Sequence, residues 1–328
     1  MQDHRTNHLH LILVILTAVT LLYIAIPRWE NTNCIEHVNI VEVILRNQTE
    51  KTKPTKRQDP GSPKTKDYIL HPPNLCMRGT YRIHLDYLVL IYSAPKNFDR
   101  RNAIRETWAS ELEQRSNSRV AFLLARIEDA NVQRAIESES YLHADIIQGT
   151  FIDHYQNQTL KVKMMMRWAL QYCPNISFLF KSDDDTFVNV GSLLKVMKNK
   201  RTDAVYGALH VNARPFREPS SLYYVSKEDY GGTIYPLFVG GAFYALGGSI
   251  LRRLSEASEL VPSFWLEDVF LTGFVAQKAG VDRINEKAIT NYGMKTVCGA
   301  LKKATSHYIT AKMMRLFWYQ IRYSQLKC

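Results

Sequence analysis

The stretch Phe178-Leu-Phe-Lys-Ser-Asp-Asp-Asp-Thr-Phe-Val-Asn189 decides how the rest of this chain is read. Its apolar start, Phe178 to Phe180, has the character of a buried strand, and it stops abruptly at Asp183, Asp184 and Asp185. Side chains alternate along an extended chain, so Asp183 and Asp185 point to one side and Asp184 to the other. Two convergent carboxylates at a strand end are costly unless a cation neutralises them. Oxygen ligands favour a hard or borderline ion such as Mn²⁺ or Mg²⁺, which commonly holds a diphosphate. The competing reading is a solvated acidic turn.

Outward from that stretch the pattern alternates. Tyr87 to Tyr92, Val120 to Leu124 and Asp145 to Ile147 read as strands. A helix is predicted over Arg100 to Trp108 with Asp99 as its N-cap, placing Arg101, Arg105 and Trp108 on one face. Thr159 to Tyr172 is a second helix whose Leu160, Met164, Trp168 and Tyr172 stripe reads as core. A further helix runs through Leu193 to Lys198. Such alternation predicts an α/β layer structure with a mostly parallel sheet, whose ligands bind at the carboxyl ends of the strands.

Past the acids, Val239-Gly-Gly-Ala-Phe-Tyr-Ala-Leu246 opens on small residues that suit close backbone approach to a ligand, or equally tight packing. Phe264-Trp-Leu-Glu-Asp-Val-Phe270 sets a second acidic pair among apolar residues. A carboxylate there has raised proton affinity, as a general base needs, while acids before an apolar run also cap helices. Glu267 is expected nearer the cap and Asp268 nearer the chemistry.

The chain has 328 residues, 46% of them hydrophobic, enough for one large domain. Its net charge of +11 is scattered, and the densest basic run, Lys51 to Lys66, is Pro-interrupted and lacks aromatics. A nucleic-acid partner is therefore not expected. Residues 9–26 (Leu9 to Ile26) form an apolar stretch which, at about 1.5 Å per residue, just spans a bilayer core of about 30 Å. We expect a cytosolic tail (residues 1–8), a signal-anchor (9–26), a lumenal stem (27–73) and a catalytic domain (74–328). A cleaved signal peptide is the competing reading of the apolar stretch.

Five cysteines, Cys34, Cys76, Cys173, Cys298 and Cys328, imply disulfides in an oxidising compartment, with Cys173 and Cys298 the first expected pair. Formal glycosylation acceptors stand at Asn47, Asn157 and Asn175, of which Asn157, just before a helix, is expected to be best placed.

The ordered set of motifs resembles the β-1,3-galactosyltransferase family, glycosyltransferase family 31, which includes β-1,3-N-acetylglucosaminyltransferases and the Brainiac-like and Fringe-like enzymes. The matching pieces are Arg101–Trp108, Asp145–Gln148, Asp153–Lys161, Trp168–Pro174, Lys181–Asn189, Tyr224–Ser226, Tyr235-Pro236 and Glu267–Phe270, within Leu85 to Trp318. The resemblance implies a GT-A type fold in a single-pass type II Golgi membrane protein with a lumenal catalytic domain. It also implies Mn²⁺, a UDP-sugar donor and transfer with inversion to a glycan acceptor on glycolipid or glycoprotein. By position it makes Asp183, Asp185 and His307 metal ligands and Asp268 the base. Asp183, Asp184 and Asp185 belong to the cofactor-binding stretch, and Arg101 and Arg105 help to organise the nucleotide site, unless they form a structural pair with an acid. Val239-Gly-Gly-Ala-Phe replaces the Cys-Ser-Gly of many relatives and is closer to the Brainiac kind, and Phe270 stands where Tyr is common. The donor is expected to be UDP-galactose, with UDP-N-acetylglucosamine as the alternative. Two other classes are compatible with paired aspartates: a cation-dependent carbohydrate-binding protein without activity, and a nucleotidyl- or phosphoryl-transfer enzyme. The first leaves Glu267-Asp268 unexplained, and the second wants a phosphate-cradling Gly-rich loop that the chain lacks.

Overall fold

The structure is a computed structural model and describes residues 68–294 and 296–323. The expected anchor, the stem up to residue 67, Cys34, Asn47 and Cys328 lie outside the described residues. Within them, no helix is long and apolar enough to cross a membrane.

An eight-stranded sheet forms the centre. Its parallel core comprises β4 (Leu85–Tyr92), β5 (Ser118–Arg126), β6 (Ile146–Ile152) and β7 (Ile176–Asp183), lying side by side in the order β6-β5-β4-β7. The edge strand β1 (Tyr68–Leu70) adds antiparallel to β6, so the folded unit begins ahead of the expected start at Asn74. Two small hairpin strands, β2 (Met77–Arg78) and β3 (Tyr81–Arg82), follow. On the other side of β7 come β10 (Phe238–Gly247), β9 (Ala204–His210) and β11 (Asp282–Asn285). β10 runs antiparallel to both of its neighbours, while β11 is parallel to β9. A separate pair joins β8 (Phe187–Val188) to β12 (Thr305–Ser306).

The central strands read as unbroken apolar runs because both faces are covered. Leu88 and Leu90 face a core with Val162, Met165, Trp168 and Leu254. Val89 and Ile91 face another with Trp108, Phe180, Leu193 and Phe317. That is the signature of parallel strands sandwiched by helices, with alternation masked by burial on each side. The helices are α1 (Phe98–Ile104) and α2 (Ser110–Arg115), joined through a π-helical turn at Arg105–Ala109, then α3 (Ala130–His143), α4 (Gln158–Tyr172) and α5 (Val190–Met197). Next come α6 (Leu251–Ser258), α7 (Ala276–Lys278) continuing a π-helical turn at Val269–Val275, α8 (Val297–Leu301) and α9 (Ala311–Tyr323). α1 starts before the expected Arg100, and Asp99 sits inside its first turn rather than capping it. Met164 and Trp168 on α4 are buried in the core, as their spacing predicts.

Cys173 bonds Cys76, with Cα atoms 5.4 Å apart, and not Cys298, which is disulfide-bonded elsewhere. The spacing gave no hint of this because Cys76 approaches only through the β2–β3 hairpin ahead of the sheet. The bridge ties that hairpin to the end of α4. Asn157 stands just before α4, as expected, but its side-chain amide donates to the Ile152 carbonyl, and Thr159 of the same triplet is buried and donates to the Phe264 carbonyl. Asn175, at the opposite end of the strands from the acids, is the exposed acceptor.

The chain leaves β4 towards β5 and β6 on one side and returns to β7 on the other, so strand order reverses beside β4. Crevices outside the carboxyl ends of strands at such a reversal are the usual ligand sites of open α/β sheets. Asp183 ends β7 at that edge, in register with Tyr92 at the end of β4.

Candidate active site

The three acids divide as alternation predicts. Asp184 is buried and turned into the protein, where its carboxylate accepts from Ser93 Oγ at 2.7 Å, Asn97 Nδ2 at 2.8 Å and Arg100 Nη1 at 2.8 Å. Those contacts stitch the loop after β4 to the end of β7, so Asp184 holds the site together from behind rather than facing a cofactor. Asp183 and Asp185 face outward, and the β8–β12 pairing brings His307 back to them, with the Ile309 amide donating to the Asp185 carbonyl at 2.8 Å. His307 Nε2 lies 2.9 Å from Asp185 Oδ1 and 3.7 Å from Asp183 Oδ2.

This trio, whose ligand atoms lie within 4.8 Å of one another, fits a divalent cation. Two carboxylate oxygens and an imidazole nitrogen suit a borderline ion. His307 Nδ1 lies 3.3 Å from the Asn291 carbonyl, a partner that orients the ring and leaves Nε2 to the site. Burial works against a charged imidazole, yet the Asp185 and Asp183 carboxylates outweigh it and raise the His307 pKa. Burial likewise raises Asp183 against the opposing Lys181 charge. Asp185 is held below the ordinary range because His307, Arg100 and Lys181 together outweigh its own burial.

Arg101 and Arg105 do not face these acids. Arg101 is fully buried, and all of its N–H groups are used: two on Glu139, at 2.8 and 2.7 Å, and the rest on Ser93 Oγ and the carbonyls of Ala94 and Pro95. Arg105 grips Asp145 through Nε and Nη2, at 2.7 and 2.9 Å, with Nη1 2.7 Å from Glu139. The structural pair with an acid is thus the placement found. A planar guanidinium with every donor satisfied has none left for a nucleotide. The arginine that does reach the acid cluster is Arg100, 2.8 Å from Asp184 and 3.6 Å from Asp185.

The second acidic pair meets the first through Lys181. Its ammonium is buried, 2.7 Å from Asp183 Oδ1 and 2.9 Å from Glu267 Oε1, donates to the Gly241 carbonyl and lies 4.6 Å from the Tyr92 ring centroid. Gly241 belongs to a wide bulge. β10 pairs Val239 with Leu209 and Tyr244 with Gly207, so five steps along β10 match two along β9. A Cβ on Gly241 would stand 3.2 Å from Glu267 Oε1 and 3.4 Å from Asp268 Cβ, which explains the small residue there.

The cap expected of Glu267 is made by Asp268. Asp268 is the N-cap, accepting from Val269 N at 2.8 Å, and its other oxygen accepts from Gly241 N at 3.0 Å. Glu267 is buried and accepts from Tyr244 Oη at 3.1 Å, and burial pushes its pKa up to about 7 although Lys181 pulls the other way. Asp268 is less enclosed, and burial raises its proton affinity as well. It remains the more exposed carboxylate of the pair, and the Lys181 charge favours its ionised form.

The site therefore has a metal-type cluster and a carboxylate of raised basicity on either side of a buried ammonium, at the edge where α/β sheets bind ligands. Residues 99–287 match the family described as Galactosyltransferase, and the chain belongs to that family. It is 37% identical over 210 residues to the human lactosylceramide 1,3-N-acetyl-beta-D-glucosaminyltransferase, covering 60% of this chain and 55% of that one. It is 32% identical over 238 residues to Beta-1,3-galactosyltransferase 5 of Pan paniscus, covering 70% of this chain and 79% of that one. With UDP-GlcNAc:betaGal beta-1,3-N-acetylglucosaminyltransferase 7 of Mus musculus the identity is 33% over 239 residues, covering 70% and 59%. The match thus spans little more than half the length of the first and third of these relatives. A galactosyltransferase solved with donor and acceptor sugar analogs aligns at a TM-score of 0.39 and 13% identity, over 70% of this chain and 94% of that one.

Proposed function

We propose that this protein is an inverting, divalent-metal-dependent β-1,3-hexosyltransferase that moves galactose from UDP-galactose to a glycan on a glycoprotein or glycolipid. The observation that carries the proposal is that Lys181 bridges Asp183 of the Asp183–Asp185–His307 cluster to Glu267 and donates to the carbonyl of Gly241, whose amide in turn donates to Asp268, so that the base is a separate acid from the metal ligands. Inversion needs that separation, because the acceptor attacks the anomeric carbon from the face opposite the leaving group. Asp268 takes the proton of the acceptor hydroxyl, whose oxygen forms the new bond as the anomeric C–O bond to UDP breaks. UDP departs with the electron pair. Mn²⁺, held by Asp183, Asp185 and His307, would supply the positive charge that offsets the one growing on UDP. Arg100 stands behind these ligands, and Lys181 keeps Asp183 and Glu267 from repelling one another.

UDP-N-acetylglucosamine is the second reading of the donor, favoured by the names of the relatives that are 37% and 33% identical. We further infer a Golgi location with residues 9–26 as a type II anchor, which the disulfide between Cys76 and Cys173 supports by requiring an oxidising compartment. A mobility shift on glycosidase treatment, reduced by Asn175→Gln, is the expected sign of a lumenal body. The activity is tested by measuring UDP release by the purified protein from each donor with Mn²⁺, an acceptor panel and a chelator control. Chelator-sensitive release from one donor is expected. Failure to bind UDP even with Mn²⁺ would contradict the reading.

A further inference from the structure

Arg100 stands against the metal-type cluster with part of its guanidinium unspent. Nη1 lies 2.8 Å from Asp184 Oδ1 and 3.6 Å from Asp185 Oδ2, so it hydrogen-bonds the buried acid and only pairs in charge with the outward one. Among the described residues, Nε and Nη2 have no hydrogen-bond or ion-pair partner, and the side chain is 37% exposed. One N–H on Nε and two on Nη2 are therefore left to give. The neighbouring cations have no such surplus. Lys181 is buried and commits its ammonium to Asp183, Glu267 and the Gly241 carbonyl. Arg101 and Arg105 are committed to Glu139 and Asp145.

The Arg100 head group is also anchored. Asp184, its partner, accepts from Ser93 Oγ at 2.7 Å and Asn97 Nδ2 at 2.8 Å, and Ser93 Oγ in turn accepts from Arg101 Nη1 at 3.1 Å. An arginine pinned at one nitrogen by a buried acid offers its remaining donors as a pre-set planar fork, the shape that matches phosphate oxygens. A nucleotide that shares a cation with Asp185 brings its diphosphate to the carboxylate that Arg100 already approaches. We propose that Arg100 is a further catalytic residue: anchored on Asp184, it donates its free N–H groups to the diphosphate of the nucleotide sugar and shares with the cation the charge left on UDP. This rests on the transferase reading above, and it moves the nucleotide-organising part from Arg101 and Arg105 to their neighbour. A second consequence concerns the metal. In the unloaded site the Arg100 charge lies 3.6 Å from a carboxylate that a cation must claim, so it opposes metal binding alone while favouring metal and nucleotide together.

The test compares wild type with Arg100→Met in the full chain. Three dissociation constants are read by calorimetry: Mn²⁺ alone, UDP with saturating Mn²⁺, and uridine with saturating Mn²⁺, the last by competition with UDP. We expect UDP to bind about tenfold or more weakly and uridine to change less than about threefold. Mn²⁺ alone should bind as tightly as in wild type, or more tightly. Equal weakening of UDP and uridine would overturn the assignment, since a merely structural hold on Asp184 produces that. So would a Mn²⁺ affinity that falls with them, or a UDP affinity within about threefold of wild type. If Arg100→Met leaves Asp184 stranded and does not fold, Arg100→Met combined with Asp184→Asn is compared with Asp184→Asn alone, under the same expectations. A wild-type protein that binds no UDP with Mn²⁺ would instead overturn the transferase reading.

Discussion

Lys181 Nζ stands 2.7 Å from Asp183 Oδ1 while buried in the strand that ends in that aspartate. The same ammonium is 2.9 Å from Glu267, so one buried cation serves an acid from each of the two acidic motifs. The Lys181 ammonium and the Glu267 carboxylate, both removed from water, are tolerable only together, because each ion alone carries a desolvation cost of several kcal/mol.

Lys181→Met should therefore destabilise the fold by about 3–5 kcal/mol, since it leaves Glu267 buried without its cation. Urea unfolding at pH 7 in the presence of a chelator checks this, so that bound metal does not mask the loss. A change below about 1 kcal/mol would mean that the acids are solvated in the native protein.

Arg101→Met should cost about 1.5–3 kcal/mol, by leaving Glu139 with Arg105 as its one remaining guanidinium partner, and should leave the Mn²⁺-dependent Kd for UDP of the folded protein within about twofold. Every guanidinium donor of Arg101 is spent inside the protein. Unfolding and UDP titration of the same preparation separate the two effects. Weakened UDP binding with unchanged stability would restore the nucleotide-organising role that the sequence motif suggests.

The acidic stretch was legible because period-two alternation is independent of tertiary context, and it divides Asp184 from its neighbours as found. The helix face bearing Arg101 and Trp108 was legible for the same reason. His307 was legible only through the family resemblance, since a lone histidine far along the chain reaches Asp185 only through the short β8–β12 pairing. Lys181 was missed because its contact with Gly241 depends on the bulge after Val239, and register cannot be read from composition. The cap was read at Glu267 rather than Asp268 because adjacent residues at a helix start point about 100° apart, and the phase is set by packing on Lys181.

The pH dependence has two expected parts. Asp268 has its pKa raised by burial, so the base is lost as pH falls, and the acid limb of kcat/KM should lie above the ordinary aspartate value of about 3.9. Glu267, pushed up to about 7, favours its protonated form in the fold. Its contribution to stability is complete below about pH 4.3, the unfolded value, and is lost as pH rises through 7, by on the order of 1 kcal/mol per unit. Glu267→Gln should thus gain in melting temperature relative to wild type between pH 5 and pH 8. A constant difference across that range would contradict the assignment.

The bridge between Cys76 and Cys173 closes a sequence separation of 97 residues. Loop-closure entropy for that length predicts a loss of about 4–5 kcal/mol in Cys76→Ser. Calorimetry of the variant, compared with reduced wild type, checks the figure. Equal stability of oxidised and reduced wild type would show that the bridge contributes nothing.

The central claim is that metal-linked donor binding and proton removal reside in different acids of one site. It is tested most directly by measuring Mn²⁺-dependent UDP binding and turnover in parallel for Asp185→Ala and Asp268→Asn. We predict that Asp185→Ala abolishes chelator-sensitive UDP binding. Asp268→Asn should keep that binding within about threefold and lose at least about 10²-fold in kcat, the lower end of what general-base catalysis supplies. Near-normal turnover in Asp268→Asn, or undiminished metal-dependent UDP binding in Asp185→Ala, would contradict it.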